Sequence, residues 1–474
     1  MSDIALPPLL RRLHTDEFDA VPYDARQRSV ARAARERLPD LARALNLPLG
    51  PLAHDRRATA LGLELLNRVH GDTFYRLAPG AATDAAAAAA SFAGAAPVVD
   101  VQTHLIDEKL WAGPMAEALS TFNAMVDPER WSEGMHPRMV DAAMWAALVF
   151  GSSETLVALL TSTPGKPGEN ILENPQIAAV RDVVDRYAGT GRVLTHTIIH
   201  PNLGRAEIDC MADHASTLRP SAWKVYTMYG PPTRAAPEGG WFLDDEEIGG
   251  PFLDAVMRCG GPRIVCTHKG LGGPIPAASV KSTSPRDIGP AARAFPQIDF
   301  VVYHSGYERN PYGEEGALDE QRPTGVDRLV LSARDAGIGA GGNIYAELGS
   351  TWFLMLRRPV EAAHVLGKLL KAFGPRRILW GTDSTWYGSP QSLIDAFRSF
   401  TIPERMQEKH GYPPLTAEVK DLILSGNAAA LYGIDVAGVA QRVSGMSTDW
   451  TARAAPALYA ALEASRTGQP AARP

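Results

Sequence analysis

The chain has 474 residues, of which 45% are hydrophobic and 21% charged, with a formal net charge of -6. That is the composition of a large globular protein that can bury its own core without disulfides. Charges of both signs are mixed and no basic stripe occurs, which argues against a nucleic-acid partner. No stretch approaches the roughly 20 apolar residues that a membrane-spanning helix needs.

The opening MSDIALPPLLRR lacks a long apolar segment, so no export signal is expected. Cys210, Cys259 and Cys266 form no C-x-x-C pair. They read as buried thiols in a reducing, cytoplasmic setting. Two helices are expected near the start, over Asp24–Leu45 and Arg56–Val69, each with Ala, Leu and Arg at helical spacing. An alanine run then leads to Pro97 through Gly and Pro residues that mark a junction. Residues 1–95 are therefore expected to be an N-terminal helical extension, 96–440 the main domain and 441–474 a C-terminal helical tail.

From Pro97 onward, short apolar runs alternate with helical segments. Eight runs stand out: Val98–Leu105, Met144–Gly151, Val193–His200, Ala222–Thr227, Arg263–His268, Ile298–His304, Asn343–Leu348 and Arg377–Asp383. The second reads equally as a buried helix. Between them, Gly325–Ala336, Pro359–Phe373 and a segment starting at Ser389-Pro390 carry apolar residues at i, i+3, i+4 and i+7. Strands buried on both faces and alternating with helices pair in parallel, and eight such units predict a (β/α)8 TIM barrel. An open, doubly wound sheet is the competing arrangement. Long segments after the first, second, fifth and sixth runs fall at the C-terminal face, where such barrels keep their sites. The stretch G337-I-G-A-G-G-N343 precedes a strand, the wrong order for a dinucleotide cradle. P-loop and G-x-S-x-G motifs are absent from the sequence.

The polar residues closing these runs are Gln102 and His104, His196 and His200, Lys224, His268, His304, Glu347 and Asp383. In a parallel barrel they converge on one rim. Imidazole and carboxylate together suit zinc, iron or manganese, and such an ion yields a nucleophilic water at neutral pH.

The stretches D100-V-Q-T-H104, T267-H-K-G270, H304-S-G306, W380-G-T-D383 and G426-N-A-A-A-L-Y-G433 resemble the amidohydrolase superfamily. Within it they are similar to the amidohydrolase-related group, which includes aminocarboxymuconate-semialdehyde and resorcylate decarboxylases. The resemblance covers Val98 to Ile434. It implies one divalent ion, zinc first and iron or manganese next, in a shell of Gln102, His104, His268 and Asp383. It implies that His304 polarises the substrate or moves a proton and that Asp383 accepts a proton from the metal-bound water. Gln102 departs from the family pattern, where His or Glu stands, so it either lends its amide oxygen to the ion or only hydrogen-bonds nearby. Lys224 corresponds to a lysine that is carboxylated in two-metal branches; here it is expected to bind a substrate carboxylate or pair with Glu347.

His200, Tyr307 and Trp386 join Lys224 as candidate substrate contacts, and Lys269, Arg309 or Arg234 as holders of a second acidic group. His136, His364 and His410 are expected to be structural. The first expectation is a metal-dependent hydrolase of a small amide, ester or lactone. The second is a nonoxidative decarboxylase of an aromatic or unsaturated acid, and the third a metal-free ligand-binding barrel. The partner is a small molecule, and the N-terminal helices either cover part of the barrel or mediate self-association into a homo-oligomer.

Overall fold

Runs such as Val193–Ile198 and Ile264–His268, short, β-branched and almost entirely buried, form strands enclosed on both faces. The structure, a computed structural model, describes residues 6–11, 24–126, 131, 136–163, 170–271, 280–308 and 315–467. The strands are β1 (Val98–His104), β2 (Thr155–Thr161), β3 (Val193–Ile198), β4 (Ala222–Tyr226), β5 (Ile264–His268), β6 (Asp299–Tyr303), β7 (Ile344–Glu347) and β8 (Ile378–Leu379). All neighbouring pairs are parallel, in the order β1 to β8. Beyond β8 the chain runs beside β1: Val101 N donates to Trp380 O at 3.0 Å and Asp383 N to Gln102 O at 2.9 Å. These bonds close the ring, and with helices outside it the fold is a (β/α)8 barrel.

The expected second strand is displaced. Met144–Gly151 lies in a helix, Ala142–Gly151, and β2 follows it at Thr155–Thr161. The Asp141 side chain accepts from Met144 N at the start of that helix, and Trp145, Val149 and Phe150 are buried along it. Asp141 thus converts an apolar run into a capped helix. The third strand stops at Ile198, so His200 lies in the following loop and not on the strand. Lys224 stands in the middle of β4, which Tyr226 ends.

The outer helices Val326–Asp335, Pro359–Phe373 and Gln391–Ser399 pack where their spacing predicts. The N-terminal helices are Ala25–Leu45, Arg56–His70 and Ala85–Ser91, the first opened by an Asp24–Gln27 capping box. Their buried leucines, with Leu6, Leu9 and Leu10, belong to the same apolar cluster as the outer barrel helices. The C-terminal helix Trp450–Thr467 buries Trp450, Leu458 and Leu462 in a second cluster with Trp145 and Val180. Cys266 is buried, but Cys210 and Cys259 are half-exposed, against the expectation for them; all three are free. Among the described residues, no single helix is long and apolar enough to cross a membrane.

Candidate active site

The ends of β1, β5, β6, β7 and β8 meet at one face. Asp383 stands at its centre, 7% exposed. Its Oδ1 lies 2.8 Å from His104 Nε2 and accepts from Gln102 Nε2 at 2.9 Å, while Ser350 Oγ donates to Oδ2. The Tyr387 hydroxyl lies 2.6 Å from Ser350 Oγ, which extends the chain of polar groups. Burial opposes the charge of Asp383, but the His104 hydrogen bond and charge prevail and hold it well below the ordinary carboxylate range.

On the other side, His304 Nδ1 lies 2.7 Å from Gly349 O, and His304 Nε2 lies 3.1 Å from His268 Nδ1. A carbonyl only accepts, so Nδ1 of His304 carries a proton. Burial lowers the pKa of His304 to about 4, which makes the ring neutral and its Nε2 an acceptor. His268 Nδ1–H then donates to it, and His268 Nε2 is left with a lone pair. That atom is buried and has no hydrogen-bond partner among the described residues. An imidazole fixed through one nitrogen with the other bare is the usual state of a metal-binding histidine.

Strained backbone supports these groups. His304, Ser305, Ser350 and Asp383 have φ of 64°, 54°, 54° and 62°, a left-handed region that non-glycine residues seldom occupy. Glu347 holds part of this arrangement by accepting from His304 N at 3.0 Å and Gly349 N at 2.6 Å. Burial is the main reason its pKa rises to about 8. Gly381 in the W-G-T-D stretch has a steric cause: a Cβ there would lie 1.8 Å from Glu347 Oε1.

Among the described residues, no three His, Cys, Asp or Glu side chains enclose an ion as they stand. His104 and Gln102 close directly onto Asp383 instead. The donor types nevertheless fit a divalent ion. His268 Nε2 has no hydrogen-bond partner, and His104 and Asp383 set an imidazole beside a carboxylate. Gln102 turns its nitrogen to Asp383, and its Oε1 is buried without a partner.

The other expected residues are placed as follows. Lys224 is fully buried; its Nζ has no hydrogen-bond partner and lies 3.4 Å from the Tyr303 ring centre. No ion pair joins it to Glu347, which corrects that expectation. Burial lowers its pKa to about 7. The Trp386 ring lies 5.4 Å from that of His104. His200 is buried in the loop after β3, and desolvation takes its pKa down to about 4. The Tyr307 hydroxyl donates to Glu361 Oε1 at 3.0 Å and accepts from Arg358, so its polar end is directed into the outer layer.

Lys269 is paired with Asp287 at 2.8 Å, both fully buried, and is not available for a substrate acid. Arg234 is exposed, and Arg309 lies outside the described residues. His196 is taken up by the Tyr303 hydroxyl at 3.2 Å. His136 caps a short turn by accepting from Arg138 N, while His364 and His410 pack with Tyr412 away from the site.

Sequence reasoning missed Ser350 and the hydroxyls of Thr161, Ser162 and Thr163 at the end of β2. Ser350 lies three residues beyond Glu347, the end of β7, outside the strand-end positions that sequence reasoning considered. The three hydroxyls were hidden by the displaced second strand.

Residues 234–434 match the family model described as Amidohydrolase. No curated protein matches the sequence. Among solved structures, the chain is similar to 5-carboxyvanillate decarboxylase from Novosphingobium aromaticivorans, with bound manganese and 3-methoxy-4-hydroxy-5-nitrobenzoic acid. Identity is 12%, with 71% of this chain and 97% of that one covered and a TM-score of 0.41. The 5-carboxyvanillate decarboxylase from Sphingomonas paucimobilis gives 14%, 72%, 100% and 0.42 for the same quantities. A 2,6-dihydroxybenzoate decarboxylase complexed with 2,6-dihydroxybenzoate gives 13%, 72%, 100% and 0.38. The matched region carries His268, His304 and Asp383, so this part of the chain is similar to the amidohydrolase family.

Proposed function

We propose that the protein is a metal-dependent, nonoxidative carboxy-lyase of a small aromatic or unsaturated acid. The observation that carries this is enclosure. Gln102, His104, Lys224, His268, His304 and Asp383 are each less than a tenth exposed, beside Trp386 and Tyr387. Protonation of carbon gains from excluding water, whereas hydrolysis needs a wet, open position.

His104, His268 and Asp383 would hold one divalent ion, with zinc and manganese both suited to the donors. When bound, it supplies positive charge that neutralises the substrate carboxylate and an adjacent oxygen. His304 orients His268 through the 3.1 Å contact and so acts on the ligand more than on the substrate. Lys224, an amine without a hydrogen-bond partner, offers a second positive charge to an acidic substrate. The proton comes along the hydroxyls of Tyr387 and Ser350, which Asp383 orients as an ionised acceptor, and goes to the carbon that loses carbon dioxide. Substrate carboxylate and one proton become the shortened product and carbon dioxide.

The test incubates zinc- or manganese-loaded protein with 5-carboxyvanillate, 2,6-dihydroxybenzoate and a panel of aryl amides, esters and lactones. Carbon dioxide release and deuterium incorporation at carbon in heavy water are the expected result, lost in His104→Ala and Asp383→Ala. Cleavage of amides or lactones without carbon dioxide would establish the hydrolase reading in its place. About two ions per chain would call for a carboxylated Lys224.

A further inference from the structure

β2 ends in three consecutive hydroxyl residues. Thr161 and Ser162 are fully buried and Thr163 is 3% exposed. The hydroxyls of Ser162 and Thr163 have no hydrogen bond among the described residues, and that of Thr161 meets only the Tyr226 phenol. A buried hydroxyl without a partner opposes folding, and folded proteins seldom leave one. Two such hydroxyls beside a third with a single partner call for a polar group that arrives from outside.

Their place in the barrel says where that group sits. Thr161 is the register partner of His104 across β1 and β2 and therefore faces the same way. Ser162 O accepts from the Tyr226 hydroxyl at 2.5 Å, and Tyr226 is the register partner of His268, the ring centres 5.7 Å apart. Ile198, Tyr226 and Met228 form a small apolar cluster on the same side. A substrate chamber at this end of the barrel would have one wall of ionic groups from β5 to β8 and β1, and another of hydroxyls and apolar surface from β2 to β4.

We infer that Thr161, Ser162 and Thr163 form a recognition subsite for a second oxygen substituent, a hydroxyl or carboxyl group on the end of the substrate remote from the reacting carbon. The inference rests on the proposal that this chamber is the substrate site. A pocket built to hydrogen-bond such an oxygen rejects the analogue lacking it, because its own groups are then left unpaired.

The test uses matched pairs: benzoate against 3-hydroxybenzoate and isophthalate, and benzamide against 3-hydroxybenzamide. Binding to the full, metal-supplemented chain is measured by calorimetry, for wild type, Thr161→Val and Thr163→Val. Wild type is expected to prefer the oxygen-bearing member by about tenfold or more, and the valine variants to erase that preference while binding the plain member unchanged. The ligand-free Thr163→Val variant is expected to melt at or above the wild-type temperature, since it loses a buried group that has no partner. Ser162→Ala, a smaller change, repeats the test if a valine variant does not fold.

Equal loss for both members of a pair, unchanged preference, or a lower ligand-free melting temperature for Thr163→Val would each overturn the subsite. If only the benzamides bind, the carboxy-lyase proposal fails and the subsite is judged on that pair. If wild type binds neither pair, both fall.

Discussion

Gln102 occupies the position where a metal-binding His or Glu was expected, and its amide is oriented by hydrogen bonding. Nε2 donates to Asp383 Oδ1 at 2.9 Å; a flipped amide would set two acceptors against each other. The oxygen points toward Gly349, where a Cβ would lie 2.1 Å from it. Gln102 therefore steadies Asp383 in this arrangement, while its oxygen has no hydrogen-bond partner. Gln102→Glu replaces that donor by an acceptor beside an ionised carboxylate. In the metal-free protein it should cost about 1–3 kcal/mol. With zinc or manganese the sign reverses, because the new carboxylate is an anionic donor and binding stabilises by mass action. Thermal midpoints with and without the ion check both halves: the metal-free midpoint falls and the ion-induced rise exceeds that of wild type. A metal-free midpoint at or above wild type would show that Gln102 does not hold Asp383.

At the scale of elements, legibility followed length and punctuation. Pro359–Phe373 was plain because Leu366, Leu369, Leu370 and Phe373 repeat at helical spacing before Gly374-Pro375. The second strand was not, because Met144–Gly151 and Thr155–Thr161 are both short apolar runs that periodicity does not separate. His104, His268, His304 and Asp383 were legible as strand-end residues. Ser350 was not, since a left-handed residue after Gly349 aims it at Asp383.

The same helix conceals a charge that no pattern shows. Lys368, 3% exposed, donates to Asp327 Oδ1 at 2.6 Å and Glu315 Oε2 at 2.8 Å, joining Pro359–Phe373 to Val326–Asp335. Lys368→Met leaves two buried carboxylates uncompensated and should cost about 3–5 kcal/mol. Burial, only partly countered by Lys368, raises the Glu315 pKa from 4.5 to about 7. The folded state therefore keeps this proton to higher pH than the unfolded chain. Its stabilising contribution is complete below pH 4.5 and is lost as pH rises through about 7. Urea midpoints of wild type relative to Glu315→Gln should fall across that window; a flat difference would count against a raised Glu315.

For the whole molecule, the open question was whether the N-terminal extension is an appendage. Its leucines share one apolar cluster with the outer barrel helices, and Phe74 and Tyr75 pack on Phe400. Backbone bonds join them as well: Thr401 N donates to Phe74 O at 2.7 Å and Arg76 N to Ser399 O at 2.8 Å. Arg56 grips Asp395 with two bonds, of 3.0 and 2.9 Å, and also reaches Glu154, just before β2. The Asp395 side chain is 1% exposed, so without Arg56 it becomes a buried carboxylate whose remaining partner is Gln391. Breaking such a pair on one side costs about 3–5 kcal/mol. Because the core is shared, that loss should reach the barrel as well as the extension. Arg56→Ala is therefore expected to lower the midpoint of far-ultraviolet circular dichroism and that of tryptophan fluorescence together, as one transition. An early helical transition that leaves the fluorescence midpoint in place would show that the extension melts alone and that the barrel does not depend on it.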